Sequence, residues 1–201
     1  MNLQVRPSMK LSNIASGLLA ILLSLPLSGC INSSATVTGK KLTAGPITPQ
    51  RLLVFADVGI VLAEKLNGDE EPIMAAEVKG SLLQCGIVSD YMHKTPIASG
   101  ALTLGDSATK SDRGLSTSVF GADTVLDIQW LRQTTSTRAP ASASYSLTLI
   151  DMKSHQPTWT AQMQFVSAWY GGQRFAAAVI DALKQDGIIP STCPTPLVPK
   201  A

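Results

Sequence analysis

Charged side chains make up only 15% of this chain, and aromatic ones 5%. No stretch gathers charge of one sign. That excludes the basic stripe of a nucleic-acid binder and a polybasic membrane patch. Glycine-rich phosphate loops are missing, so nucleotide hydrolysis has no foothold. The histidines are His93 and His155. Both fall in turn-rich sequence and read as solvated, and no G-x-S-x-G elbow exists for either to serve as base. Cysteine is limited to Cys30, Cys85 and Cys193. Neither Cys85 nor Cys193 has a close cysteine or histidine neighbour, so no metal centre is expected, and no cofactor.

What is present begins at the amino terminus. Arg6 and Lys10 precede an apolar run over residues 14–25, and Pro26 breaks it before Leu27-Ser28-Gly29-Cys30. A basic start, an apolar segment and a small-residue processing site are the order of a secretory signal. The run is shorter than the ~20 residues needed to span a bilayer, and no later apolar segment is long enough. Residues 1–29 therefore read as a leader. The chain carries 16 Lys and Arg against 14 Asp and Glu. Arg6 and Lys10 lie in the leader, which holds no acid, so the remainder is formally neutral.

Leu27-Ser28-Gly29-Cys30 resembles the lipobox of bacterial lipoproteins. The resemblance implies that Cys30 carries a diacylglycerol, becomes the new amino terminus and is acylated there. Two or more chains suffice for stable anchoring. In enteric-type bacteria of that family, an aspartate after the cysteine retains the protein at the inner membrane. Here Ile31, Asn32 and Ser33 follow. The resemblance thus implies the outer membrane, facing the periplasm, or the outer face of the plasma membrane in a single-membrane organism.

Residues 30–48 are rich in Ser, Thr, Gly and Lys and read as a flexible tether reaching roughly 25 Å. Residues 49–190 form one domain, and residues 191–201 a proline-rich tail. In an oxidising compartment two thiols often pair, so Cys85 and Cys193 are a possible disulfide. The alternative is two thiols that never meet.

Leu52-Leu53-Val54-Phe55 is an unbroken apolar run, as in a strand buried on both faces. Acids and Pro72 open a helix over residues 69–84, with Met74, Val78 and Leu82 on one face. A strand over residues 87–92 follows, then a weaker helix over residues 106–120. Leu126, Ile128 and Trp130 alternate with Asp127 and Gln129. Tyr145, Leu147 and Leu149 alternate with Ser146 and Thr148. Trp159, Ala161, Met163 and Phe165 alternate with Gln162 and Gln164. Such alternation marks antiparallel strands with one buried face. A last helix over residues 173–185 turns Phe175, Val179, Ala182 and Leu183 inward. Gly86 and Gly187 stop the two clear helices, each before a short apolar strand. The expected fold is a single compact α+β domain, a mainly antiparallel sheet packed with two to three helices.

Gly121-Ala122-Asp123-Thr124-Val125-Leu126, Leu149-Ile150-Asp151, Trp159 and Asp186-Gly187-Ile188-Ile189 occupy a strand–helix–strand, hairpin and final-helix frame. Over residues 50–190 this resembles the periplasmic lipoproteins with a TolB-amino-terminal-like α/β fold, a group that includes curli-secretion and penicillin-binding-protein-activator lipoproteins. The resemblance implies an assembly or accessory role and no catalytic centre. The chain departs from the synthase activators in its short tether.

Ser107 and Lys110 match an S-x-x-K spacing, in which the lysine assists serine attack. A penicillin-recognising enzyme also needs a Ser-x-Asn element, which is missing. An envelope serine hydrolase is therefore the rival function, and a small-ligand carrier a third. Trp169 and Tyr170 beside Gly171-Gly172 read as core caps or as partner anchors. The weakly charged sheet face, with Gln162 and Gln164, suits a protein partner, a glycan or self-association. The expected protein is a non-catalytic accessory or assembly factor of the cell envelope.

Overall fold

The computed structural model describes residues 34–59, 70–94, 120–134, 142–166 and 170–199. They belong to one compact unit. Six strands and two helices follow in the order β1 Ser34–Lys41, β2 Arg51–Ala56, α1 Glu70–Gln84, β3 Val88–His93, β4 Thr124–Thr134, β5 Ser142–Asp151, β6 Gln156–Val166 and α2 Gly171–Gln185. The strands make one mixed sheet of order β1-β6-β5-β4-β2-β3. The β4–β5, β5–β6 and β6–β1 pairs are antiparallel, whereas β2 lies parallel to both β3 and β4. The domain is α+β. None of the described helices is long and apolar enough to cross a membrane.

Alternation places the core. In register, Ile128 faces Leu147 and Leu147 faces Ala161, while Leu126 faces Leu149 and Leu149 faces Trp159. All six side chains are buried on one face, and α1 and α2 cover that face with Met74, Val78, Leu82, Phe175, Val179 and Leu183. Phe175 meets Tyr145 edge-on at 4.9 Å and Phe165 at 5.3 Å. β2 is buried on both faces. Leu52, Val54 and Ala56 join this core, and Leu53 and Phe55 form a small second cluster with Val125 on the other face.

The amino termini of the helices are tied together. Tyr170 precedes α2 in a left-handed conformation and offers no side-chain cap. The carboxylate of Glu70, in the first turn of α1, accepts the Gly172 N–H instead, at 2.5 Å. A negative group suits the positive end of a helix dipole. A Cβ on Gly172 would run into the Glu70 backbone carbonyl, so only glycine admits this approach.

Three expectations need correction. Residues 34–41, read as part of a flexible tether, form β1 and pair with β6 along their whole length. Ala35 and Val37 turn inward while Thr36 and Thr38 turn out, a period-two pattern that the polar composition concealed. Residues 188–189 form no strand. Ile188 and Ile189 are instead buried in the core. Trp130 lies opposite Tyr145 on the core side and packs against the core while staying partly exposed, and the β4 register shifts just after it. Its ring packs on Gly59, whose φ is 62°. His93 is exposed as expected, but it ends β3 rather than lying in a turn. The weaker helix over residues 106–120 lies outside the described residues except for Phe120.

A disulfide joins Cys85, just past α1, to Cys193. It holds residues 190–199 against the helices as a strap. Thr195 Oγ1 donates to Asp181 at 2.5 Å and accepts from Lys184 Nζ at 2.9 Å.

Gly172→Ala should lower stability by about 1–3 kcal/mol, the range for overpacking. Gly80, mid-helix in α1, has open space where a Cβ would sit, so Gly80→Ala should raise it by about 0.5–1 kcal/mol. Urea midpoints of the two variants check both signs.

Candidate functional site

Two features stand apart from the core: the outer face of the sheet and a polar cluster where the parallel strands end. The outer face is built by the residues that alternate with the core. Thr36 and Thr38 of β1 lie opposite Gln164 and Gln162 of β6, which lie opposite Ser144 and Ser146 of β5. Gln129 of β4 continues the row beside Ser146. Thr36, Thr38, Gln129, Gln162 and Gln164 are exposed. Ser144 Oγ donates to Gln164 Oε1 at 2.8 Å. Gln162 Nε2 reaches Ser146 Oγ at 3.5 Å. These groups both donate and accept, and two cations border them: exposed Lys40 lies opposite Thr160, and Arg132 Nε donates to Ser144 Oγ at 3.4 Å.

Asp127, the one charge expected on that face, is not available to it. Its carboxylate pairs with the buried Lys94 ammonium, which also lies 5.1 Å above the Phe55 ring. Lys94 follows β3 directly, and Asp127 sits on β4 with β2 between them. The pair therefore ties β3 to β4 across the carboxyl end of β2. Breaking one partner of such a pair is costly, because the other charge stays buried.

More polar groups gather at this edge. Tyr91 Oη donates to Glu71 Oε1 at 2.5 Å, and His93 Nδ1 lies 2.7 Å from the same oxygen. Burial, then the Glu71 carboxylate, pushes the Tyr91 hydroxyl well above its ordinary range. Asp57 follows β2, and its Oδ1 accepts the Gly59 N–H at 3.1 Å. Burial raises the Asp57 carboxyl above its ordinary value, outweighing that bond and nearby Lys94 and His93. Ligands of open α/β sheets often bind at such strand ends. Here Glu71, Tyr91, His93, Lys94 and Asp127 engage one another, so the arrangement joins α1 to β3 and β3 to β4. Sequence reading missed it, because only the parallel pairing of β2 with β3 brings Asp57 beside Lys94.

Two cavities lie elsewhere. One of about 430 Å³ opens at the start of β4, between residues 43–48 and Asp123, Asp151 and Thr158. Its carboxylates already serve the fold: Asp123 Oδ2 accepts the N–H groups of Gln50 and Arg51, and Asp151 Oδ2 accepts Ser154. The other, about 470 Å³, separates α1 from the strap at Gly80, Ser81, Pro194 and Pro196.

Among the residues singled out by sequence, Gln162 and Gln164 lie together on the outer face. Tyr170 is exposed at the start of α2 and belongs to the helical layer, so the structure does not gather it with them. Cys30, Ser107, Lys110 and Trp169 lie outside the described residues.

No protein-family model matches the chain, and no curated protein matches it. Solved structures give distant likenesses. Two PelC dodecamer structures from Paraburkholderia phytofirmans match at 15% and 16% identity with TM-scores of 0.42 and 0.41. The matches cover 77% and 73% of this chain, and 98% and 95% of theirs. A PDZ domain protein from Parabacteroides distasonis matches at 10% identity and a TM-score of 0.36, over 82% of this chain and 38% of its own.

Asp57→Asn should raise the melting temperature at pH 7. The raised Asp57 value means that the folded state binds this proton more tightly than the unfolded state. The resulting penalty is absent below the ordinary 3.8 and appears as pH climbs through the folded value. Melting curves at pH 7 and pH 3.5 should show the gain at the first and none at the second.

Proposed function

We propose that this protein is an envelope lipoprotein anchored through Cys30 at the outer membrane, facing the periplasm, and that it acts as a non-catalytic accessory factor by binding. One observation carries the binding reading: an exposed row of neutral hydroxyl and amide groups, with Gln162 and Gln164 at its centre, Lys40 and Arg132 at its borders, and its single carboxylate, Asp127, already paired with Lys94. A merely solvated face ordinarily carries charge. A neutral hydrogen-bonding face suits a protein partner, which can match donors and acceptors without desolvating ions.

Placement favours the same reading. Cys30 and Ser34 are four residues apart, at most about 14 Å of extended chain. With β1 starting at Ser34, a lipid at Cys30 holds the sheet close to the bilayer. Its partner is then another component at the membrane surface. The space in which a ligand carrier would hold its cargo is filled by Trp159, Tyr145, Phe165 and Phe175, all fully buried.

A photoreactive amino acid at Gln164 in intact cells should give a discrete adduct with an envelope protein. The same group at Lys79, exposed on α1, should not. Ser107→Ala and Lys110→Ala should leave the adduct unchanged. Failure to recover any adduct from Gln164 would overturn the binding reading.

A further inference from the structure

The two edges of the sheet are guarded differently. β3 carries Asp90, ion-paired with Lys79 at 2.8 Å, and ends in His93. Charged edges discourage strand addition. β1 is eight residues long, and Ser34–Gly39 contains no charge and no proline. No register shift interrupts its pairing with β6. Its charges, Lys40 and Lys41, are confined to the carboxyl end, and the neutral stretch before them is a template for another strand.

The direction of its free groups follows from the ladder. The Leu42 N–H donates to the Thr158 carbonyl at 2.9 Å, and the β1–β6 register places these residues opposite each other. Directly opposed, hydrogen-bonded pairs alternate along an antiparallel ladder. Even-numbered residues of β1 therefore bond β6, and Ala35, Val37 and Gly39 direct their N–H and C=O groups outward. Among the described residues no strand takes them up.

We infer that β1 is a self-association edge, pairing antiparallel with β1 of a second copy about a two-fold axis at Val37. This register sets Val37 against Val37, Ala35 against Gly39, and Thr36 against Thr38 of the other copy. Cross-strand threonine pairs favour association. Lys40 faces Ser34 of the second copy, so the lysines of the two chains sit at opposite ends of the seam. A register centred nearer Lys40 brings like charges together. The two-fold axis stands normal to the sheet, so both copies keep their helices on one side. Their rows of Thr36, Thr38, Gln162 and Gln164 merge into one continuous polar surface. A seam of eight residues is small, and attachment to a common membrane raises its effective concentration. The inference deepens the binding reading by naming a second copy as one occupant. It rests on β1 alone and does not require a lipid at Cys30.

The test uses the full chain in bacterial membranes. Thr36→Cys and Thr38→Cys are made separately, and the two proteins are expressed alone or together under mild oxidation. Thr36 and Thr38 side chains lie on the exposed face, so the fold tolerates both. Co-expression should give a disulfide-linked dimer at least about tenfold more abundant than either variant alone, because a fixed register opposes only position 36 to position 38. In a second arm, the double variant Thr36→Lys, Thr38→Lys opposes lysine to lysine and should abolish chemically crosslinked dimer. Thr36→Lys, Thr38→Glu opposes lysine to glutamate and should retain it. Absence of dimer in every case, equal crosslinking by each cysteine variant alone, or adducts only with another protein would overturn the inference. Any of these outcomes leaves the Gln164 adduct free to appear or fail independently.

Discussion

The indole of Trp159 sits where three parts of the domain meet. Its ring is fully buried between the sheet and the helical layer. Its N–H donates to the Asp186 carboxylate at the end of α2, at 2.6 Å. Gly39 of β1 crosses beside it, where a Cβ would collide with both the indole and Asp186. Truncating a buried side chain of this size typically costs about 3–5 kcal/mol, and here the contact also fixes register. Lys41 faces Trp159 on one side and Leu149 faces it on the other. Slipping β6 by one residue would carry Trp159, Ala161, Met163 and Phe165 to the opposite face. The helices would then meet threonine and glutamine.

That same register makes the outer face what it is. Every residue withdrawn to the core leaves a neighbour facing outward, and in β1, β5 and β6 those neighbours are mostly Thr, Ser and Gln. Near β2 the pattern changes, since Leu53, Phe55 and Val125 form a second apolar cluster. The Lys94–Asp127 pair closes the boundary between the two zones. A largely neutral polar face thus lies on the β1 side of the sheet, next to an edge whose charges, Lys40 and Lys41, sit at its carboxyl end. In the proposed function that face and that edge do the binding, while the helices and the disulfide-held strap keep the sheet rigid behind them.

Much of this was legible in the sequence where periodicity speaks. Leu126, Ile128, Tyr145, Leu147, Leu149 and Trp159 announce their burial by alternation, and Met74, Val78 and Leu82 by helical spacing; all are buried. β1 escaped because Thr and Ser were weighed as linker composition, although Ala35 and Val37 carry the strand period. The polar cluster escaped for another reason. Glu71, Tyr91 and His93 are separated along the chain, and nothing local states that α1 begins above the end of β3. Local chemistry therefore predicted the elements, and failed where tertiary pairing decides which groups meet.

The central claim is a binding domain held at a membrane by lipid on Cys30. Intact mass measurement of the protein extracted from membranes tests it most directly. The account predicts a chain beginning at Cys30, with its mass raised by a thioether-linked diacylglycerol and an amide-linked acyl chain, and loss of both in Cys30→Ala. An unmodified chain, or one that begins at any other residue, would contradict it.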